Sequence, residues 1–272
     1  MEIVTNFLYQ IFFTVGVIVV LGLLIALCRR AFCSIVGVHG PKILLITGVV
    51  GTPIHELSHA LMCLIFGHKI TEIKLYDPDN ETGTLGYVNH SFRPKNLYHQ
   101  IGNFFIGIAP IVCGSGVLLL LMFLLIPEVC AGVMAELQTV SLLTNNLADP
   151  YTYVEYLELF WNVLTELFDF ANMADVRWWI FLVLALLISS HMELSLADIR
   201  GSLVGLLYIA GILLILDTIL YLISLSALEA VTSALAYFST YIISFLAISG
   251  IFSLLMVLIA LAIKGISALV SR

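Results

Sequence analysis

The sequence predicts an all-α multi-pass membrane protein with about six transmembrane helices, a small β-hairpin and amphipathic surface helices. Of its 272 residues, 61% are hydrophobic and only 11% are charged, and the mean hydropathy is +1.10. A soluble domain of this length needs more charge to cover its surface. The apolar residues also fall in long runs, which is typical of bilayer-spanning helices rather than of one large core.

Six apolar stretches are predicted as membrane spans, and they cover residues 7–28, 43–67, 101–126, 178–192, 203–225 and 240–263. The fourth is short, so we expect a break in it that is covered by protein or water. The first has no basic segment before it and is followed by Arg29 and Arg30. It is therefore predicted to be a retained helix rather than a cleaved signal peptide. All six spans belong to one predicted integral membrane domain, residues 1–272.

The distribution of basic residues predicts the orientation in the membrane. With six alternating spans, one side holds Arg29, Arg30, Lys42 and Arg177, and the other holds Lys69, Lys74, Arg93, Lys95, Arg200, Lys264 and Arg272. The positive-inside rule favours the second side as cytoplasmic. We therefore expect a multi-pass protein of the cell membrane with both termini in the cytoplasm. The net charge of -7 argues against a nucleic-acid partner.

Two polar segments interrupt the apolar runs. Residues 69–92 are predicted to form a β-hairpin, because two strand-like arms flank turn-forming residues at 77–83. Residues 127–176 contain eight acidic residues, no Lys or Arg, and several aromatic residues. This segment is predicted to form one or two amphipathic helices on the outer membrane surface. A compact cap packed over the other helices is the alternative.

The five cysteines carry little functional information in the sequence. They form no pair with the spacing of metal ligands, and most lie in or beside apolar runs: Cys28, Cys33, Cys63, Cys113 and Cys130. They are predicted to be small buried hydrophobic residues.

The residues that most strongly indicate chemistry are His55, Glu56 and His59 in the second apolar stretch. Residues four apart lie on one face of a helix, so both imidazoles can bind one metal ion. This spacing is the His-Glu-x-x-His arrangement, which provides two zinc ligands and a general base. Ionisable groups are costly in an apolar stretch and are usually functional there. A catalytic site is favoured over a polar lining of a water-filled cavity or a structural metal site.

The residues before the motif predict where its helix begins. Thr52 has the character of an N-cap and Pro53 that of a first helical residue. Gly48 and Gly51 weaken the preceding segment as a helix. We therefore expect the helix to begin at Pro53, with His55 in a first turn that water can reach. The alternative is a proline kink.

A catalytic zinc ion needs a third protein ligand. The polar segment after the fourth span offers Asp198 as the preferred candidate. Ser195 and Asp198 also form the pattern of a capping box, and one residue can fill both roles. His191 is the second candidate, either as a ligand or as a donor to a substrate carbonyl. Glu193 and Asp217 are more remote options.

These blocks resemble the site-2 protease family of intramembrane zinc metalloproteases. The resemblance covers 55–60 in a membrane helix, the polar hairpin after it, 103–110, and 196–201, which is similar to the block that supplies the family's third zinc ligand. Ser190 and His191 stand where the family has Asn, and the glycine after Asp198 comes three residues later rather than next to it.

By this resemblance, His55, His59 and Asp198 bind Zn²⁺, and Glu56 is the general base. The chain would hydrolyse a peptide bond in or near a transmembrane segment of its substrate. Its expected partners are that membrane peptide and the lipid bilayer. Three further residues are expected to bind the substrate or to assist: His191, Tyr87 and Val88.

Two other classes of protein are compatible with the same residues. A non-proteolytic membrane metal-binding protein or transporter would also contain polar groups within the membrane. The chain lacks the paired, symmetric broken helices that inverted-repeat transporters show. The other class is a structural membrane protein in which the motif is accidental.

Overall fold

The computed structural model describes residues 2–78, 84–143 and 150–270. These ranges contain nine α-helices and one two-stranded sheet. The elements are α1 Glu2–Ile11, α2 Val17–Val36, α3 Gly40–Ile65, β1 Lys69–Lys74, β2 Tyr87–Ser91, α4 Leu97–Leu125, α5 Pro127–Leu143, α6 Pro150–Leu167, α7 Val176–Ser189, α8 Leu196–Ile223 and α9 Leu225–Val270. The prediction of a mostly helical fold with a small β-hairpin is confirmed.

The N-terminal helices follow one another with only short interruptions. A π-helical turn, Phe12–Gly16, joins α1 to α2, and a 3-10 turn, Gly37–His39, joins α2 to α3. Gly37 has a φ of +64°, and only glycine adopts this conformation without steric cost. Helix α2 therefore ends there, and α3 begins with Pro41 in its first turn.

Four helical segments of the described chain are long and apolar enough to cross a membrane: Ile3–Ile65, Leu97–Leu125, Leu196–Ile223 and Leu225–Ser267. The first of these contains two of the predicted spans. The fourth predicted span corresponds to α7, a shorter apolar helix that ends at Ser189. Membrane association is consistent with these lengths. The number of about six spans and the orientation of the termini stay predictions.

The expectation that a helix begins at Pro53 is wrong. Helix α3 runs through this position, and Pro53 lies inside it. Gly51 lies within this continuous helix, and a Cβ added there would lie 2.5 Å from the Leu187 carbonyl oxygen. Close packing against α7 therefore explains this glycine and outweighs its low helix propensity.

The chain divides into two compact units. The first comprises Met1–Val19, Gly116–Val183 and Gly211–Leu246. Within it α5 and α6 pack against each other, and both have buried apolar residues, among them Val129, Val133, Leu159 and Val163. The predicted helices of segment 127–176 are therefore present, while residues 144–149 lie outside the described chain. The position of these helices at the membrane surface stays a prediction.

The second unit comprises Val20–Ser115, Leu184–Ala210 and Ala247–Arg272. It contains the hairpin, in which β1 and β2 pair antiparallel from Lys69 with Ser91 to Lys74 with Tyr87. A bulge lies between Ile70 and Glu72. The predicted turn residues 79–83 lie outside the described chain. Part of the unit's core is formed by Phe32, Met256 and Ala260, with Leu186 packed against them.

Candidate metal centre

The two histidines of the motif face each other on α3. Their Nε2 atoms are 3.1 Å apart, and their ring centroids are 4.9 Å apart. His59 is buried and His55 is half-buried. This proximity follows from the helix, because side chains four residues apart lie one above the other on the same face.

The second ring nitrogen of each histidine faces a backbone carbonyl. His55 Nδ1 lies 2.7 Å from the oxygen of His191, and His59 Nδ1 lies 2.8 Å from the oxygen of Ile106. A carbonyl oxygen only accepts, so each Nδ1 donates its proton, and each neutral ring presents a lone pair at Nε2. Such outer hydrogen bonds fix the ring orientation of metal-binding histidines.

Asp198 completes the group from the first turn of α8. Its Oδ1 lies 3.3 Å from His59 Nε2. Its Oδ2 accepts a hydrogen bond of 2.8 Å from the backbone N–H of Ser195, and its own N–H donates to Ser195 Oγ at 3.1 Å. The capping box is therefore present, and it occupies only one carboxylate oxygen. The other oxygen faces the histidines.

The three side chains form a group that could hold a metal ion. Their ligand atoms all lie within 4.8 Å of one another. Zinc bonds of about 2.0–2.1 Å at a tetrahedral angle place two ligand atoms about 3.4 Å apart, close to the 3.1 Å and 3.3 Å found here. When both rings are uncharged, all three atoms are acceptors, and a cation between them would relieve the mutual repulsion of their lone pairs. We call His55, His59 and Asp198 the metal centre.

Glu56 lies beside the metal centre at a cavity of about 240 Å³. The cavity lies on α3 and the hairpin, and its lining includes Arg29, Thr52, His55, Glu56, Gly86 and His191. Glu56 is buried, but it forms part of the lining. Its carboxylate can therefore exchange protons with water that enters the cavity. The arrangement therefore combines a candidate general base with candidate metal ligands.

A glycine lets the hairpin approach the motif closely. A Cβ added at Gly86 would lie 2.9 Å from Glu56 Cγ, 2.9 Å from Thr52 Cγ2 and 2.8 Å from the Lys74 oxygen. No larger residue fits there without displacing its neighbours. The sequence alone did not identify this role of Gly86. The only signal was a glycine at the start of the second hairpin arm.

His191 contributes to the site without joining the three converging ligand atoms. Its Nε2 lies 2.8 Å from Thr47 Oγ1, and its Nδ1 lies 3.5 Å from Thr52 Oγ1. Its backbone carbonyl orients His55. The structure thus places its ring against two threonines of α3 and on the cavity lining.

Tyr87 and Val88 lie on β2, immediately after the hairpin residues that line the cavity. The Tyr87 hydroxyl donates a hydrogen bond of 2.6 Å to Glu72 Oε1 across the strands. This bond raises the pKa of Tyr87 above its ordinary value. Val88 pairs with Ile73. The part of the hairpin at the cavity comprises Thr84, Leu85 and Gly86.

The two more remote candidates have other partners. Glu193 forms an ion pair with Arg29, and both line the cavity. Asp217 belongs to the other unit, where it is 0% exposed and accepts a hydrogen bond of 3.1 Å from Gln10 Nε2. It therefore has the role of a polar packing residue between helices.

Comparison with protein-family models, with curated proteins and with solved structures finds no match to this chain.

Proposed function

We propose that this chain is a zinc-dependent intramembrane protease of the kind that its motifs resemble, the site-2 protease family. The observation that carries the proposal is the convergence of His55 Nε2, His59 Nε2 and Asp198 Oδ1. Glu56 lies next to His55 on the same helix and on the lining of one cavity. If the motif were accidental, there would be no reason for Asp198, on a helix that begins some 140 positions later, to converge with its two histidines.

Two imidazoles and one carboxylate are a ligand set of catalytic zinc sites, which use three protein ligands and leave one position for water or substrate. Zinc held there would polarise a substrate carbonyl and make a water molecule more acidic. The chain's contribution is to fix both histidine rings through the carbonyls of His191 and Ile106. The carboxylate of Asp198 is fixed in turn by Ser195.

Glu56 is the proposed general base. Its carboxylate would accept a proton from the attacking water and transfer it to the leaving amine. The cavity would give water access to a helix that would otherwise be surrounded by lipid.

The hairpin is the proposed docking site for the substrate backbone. A transmembrane helix hides its peptide bonds, so a substrate must be extended before cleavage. In the described chain the sheet has two strands, and each therefore has one edge without a strand partner. Such an edge can pair with an extended peptide by strand addition. Thr84, Leu85 and Gly86 would bring that peptide to the cavity.

The test compares membranes of cells that express the wild-type protein or Glu56→Gln. We expect new protein N-termini within or near transmembrane segments only with the wild type, as mass spectrometry of labelled N-termini would show. Glu128→Gln is the matched control, because Glu128 is exposed on α5 in the other unit. It should cleave like the wild type. The same N-termini in Glu56→Gln membranes would refute the proposal.

A metal-binding or metal-transporting membrane protein is the second candidate. It is favoured by a second group of possible ligands, Cys63, His68 and His90, which begins one helical turn after His59. Transporters pass ions between successive polar sites within the membrane. Zn²⁺ flux into proteoliposomes without peptide cleavage would favour this candidate over the protease.

A further inference from the structure

A second group of possible metal ligands lies where α3 meets the hairpin. Cys63 is in the last turn of α3, His68 follows the helix, and His90 is on β2. One ligand atom from each lies within 4.8 Å of the other two. We call these three residues the hairpin cluster. None of them belongs to the metal centre described above.

The helix end itself brings two of these residues together. The His68 N–H donates to the Cys63 carbonyl at 2.8 Å, and the Gly67 N–H donates to the Leu64 carbonyl at 3.3 Å. With Gly67 at a φ of +69°, this is a Schellman motif, which places the side chain after the glycine near the one five residues earlier. Those two side chains are His68 and Cys63.

Hydrogen bonding then directs the His68 ring towards His90. His68 Nε2 donates to the His99 carbonyl at 2.9 Å, so Nδ1 presents its lone pair. That Nδ1 lies 3.1 Å from His90 Nδ1. Outer hydrogen bonds of this kind fix the ligating nitrogen of metal-binding histidines. The arrangement repeats the one found at His55 and His59.

Packing buries two residues of the cluster, whereas His90 is half-buried. Cys63 is 0% exposed, and His68 is also buried. The His68 ring stacks on Phe92 with centroids 5.1 Å apart.

We propose that Cys63, His68 and His90 form a second zinc site, which fastens the base of the hairpin to the end of α3. One thiolate and two imidazoles are zinc ligands in proteins, with bonds of about 2.3 Å to sulfur and about 2.0–2.1 Å to nitrogen. At a tetrahedral angle these bonds separate the nitrogens by about 3.4 Å and each nitrogen from the sulfur by about 3.6 Å. The two Nδ1 atoms are 3.1 Å apart, and one ligand atom of each of the three residues lies within 4.8 Å of the other two.

The distinguishing ligand is the thiolate, so the test uses Co²⁺ as the probe in place of Zn²⁺. Thiolate ligation of Co²⁺ produces a near-ultraviolet charge-transfer absorption that histidine and carboxylate ligands do not produce. We expect this band when Co²⁺ is added to the purified full chain in detergent, and its loss in Cys63→Ser. Cys130→Ser is the matched control, because Cys130 is a buried free cysteine in the other unit. That variant should keep the band.

A second variant and a second measurement keep the test independent of folding defects and of proteolysis. His90→Gln changes only the ligand on β2 and should weaken the band, whereas His55→Ala should leave it unchanged. Zn²⁺ should also slow hydrogen exchange of the hairpin amides in the wild type but not in Cys63→Ser. A band that is missing from the wild type, persists in Cys63→Ser or disappears in Cys130→Ser would overturn the proposal. Loss of cleavage alone would not bear on it.

Discussion

Asp198 allows the metal centre and the helix cap to be separated by mutation, because its two carboxylate oxygens have different partners. Oδ1 faces His59, and Oδ2 accepts the hydrogen bond from the Ser195 N–H. Asp198→Asn retains one carbonyl oxygen that can accept the capping bond. Its NH₂ group has no lone pair for a metal ion. Ser195→Ala does the reverse, because it removes a capping oxygen and leaves the carboxylate.

The expected magnitudes differ by variant. Changing a residue that merely orients a ligand costs about 10–100-fold in metal affinity, so the loss of a ligand in Asp198→Asn should cost at least about 100-fold. Ser195→Ala loses the 3.1 Å bond from the Asp198 N–H. The loss of such a cap costs about 1 kcal/mol, which corresponds to a decrease of about 2–4 °C in the unfolding temperature. Its zinc affinity should change little.

The assay is competition for Zn²⁺ between the purified protein and a fluorescent chelator, together with thermal unfolding followed by circular dichroism. All variants carry Cys63→Ser in addition, so that the hairpin cluster lacks its thiolate and does not obscure the result. Wild-type zinc affinity in Asp198→Asn would refute the assignment of Asp198 as a ligand. An equal loss of affinity in Ser195→Ala would show that the cap, rather than the carboxylate, matters.

Three further outcomes follow from the packing and from the ligand chemistry. Gly51→Ala should lower the free energy of unfolding by about 1–3 kcal/mol, because its new methyl would lie 2.5 Å from a carbonyl oxygen of α7. Gly250→Ala is the control, since a methyl there meets no atom within 4 Å, and thermal unfolding should show no loss of stability for it. Trp178→Phe should cost about 1–3 kcal/mol by losing its buried 2.8 Å bond to a carbonyl of α6, whereas Trp179→Phe, at an exposed position, should cost less in the same measurement. Zinc affinity of the metal centre should fall on acidification, because protons compete for the histidine lone pairs. An unchanged affinity in chelator competition at neutral and at mildly acidic pH would contradict this.

Features that depend on local periodicity were predictable from the sequence. The spacing of His55 and His59 placed both rings on one helical face, and two strand-like arms around turn-forming residues predicted the hairpin. The capping pattern of Ser195 and Asp198 also appears in the structure as a reciprocal pair of hydrogen bonds. Each of these features is determined within a few residues of the chain.

Apart from the proximity of Asp198 to the two histidines, contacts between distant parts of the chain were not predicted. Gly51 was interpreted as a helix breaker, whereas it allows α7 to pack closely against α3. Cys63 is buried, as the sequence predicted, but its proximity to His90 depends on the register of the hairpin and was not predicted. The Cys63–His68 pair was locally encoded by the glycine that ends α3, and an examination of helix-end motifs would have found it.

The most direct test of the proposed protease measures zinc content and cleavage in the same purified preparations of the wild type and Glu56→Gln. The substrate is a membrane protein that the proposed comparison of membranes identifies as cleaved. We expect both proteins to bind zinc to the same extent, since Glu56 is not among the three ligands, and only the wild type to cleave. Cleavage by Glu56→Gln, or cleavage by a wild-type protein that holds no zinc, would contradict the proposed function.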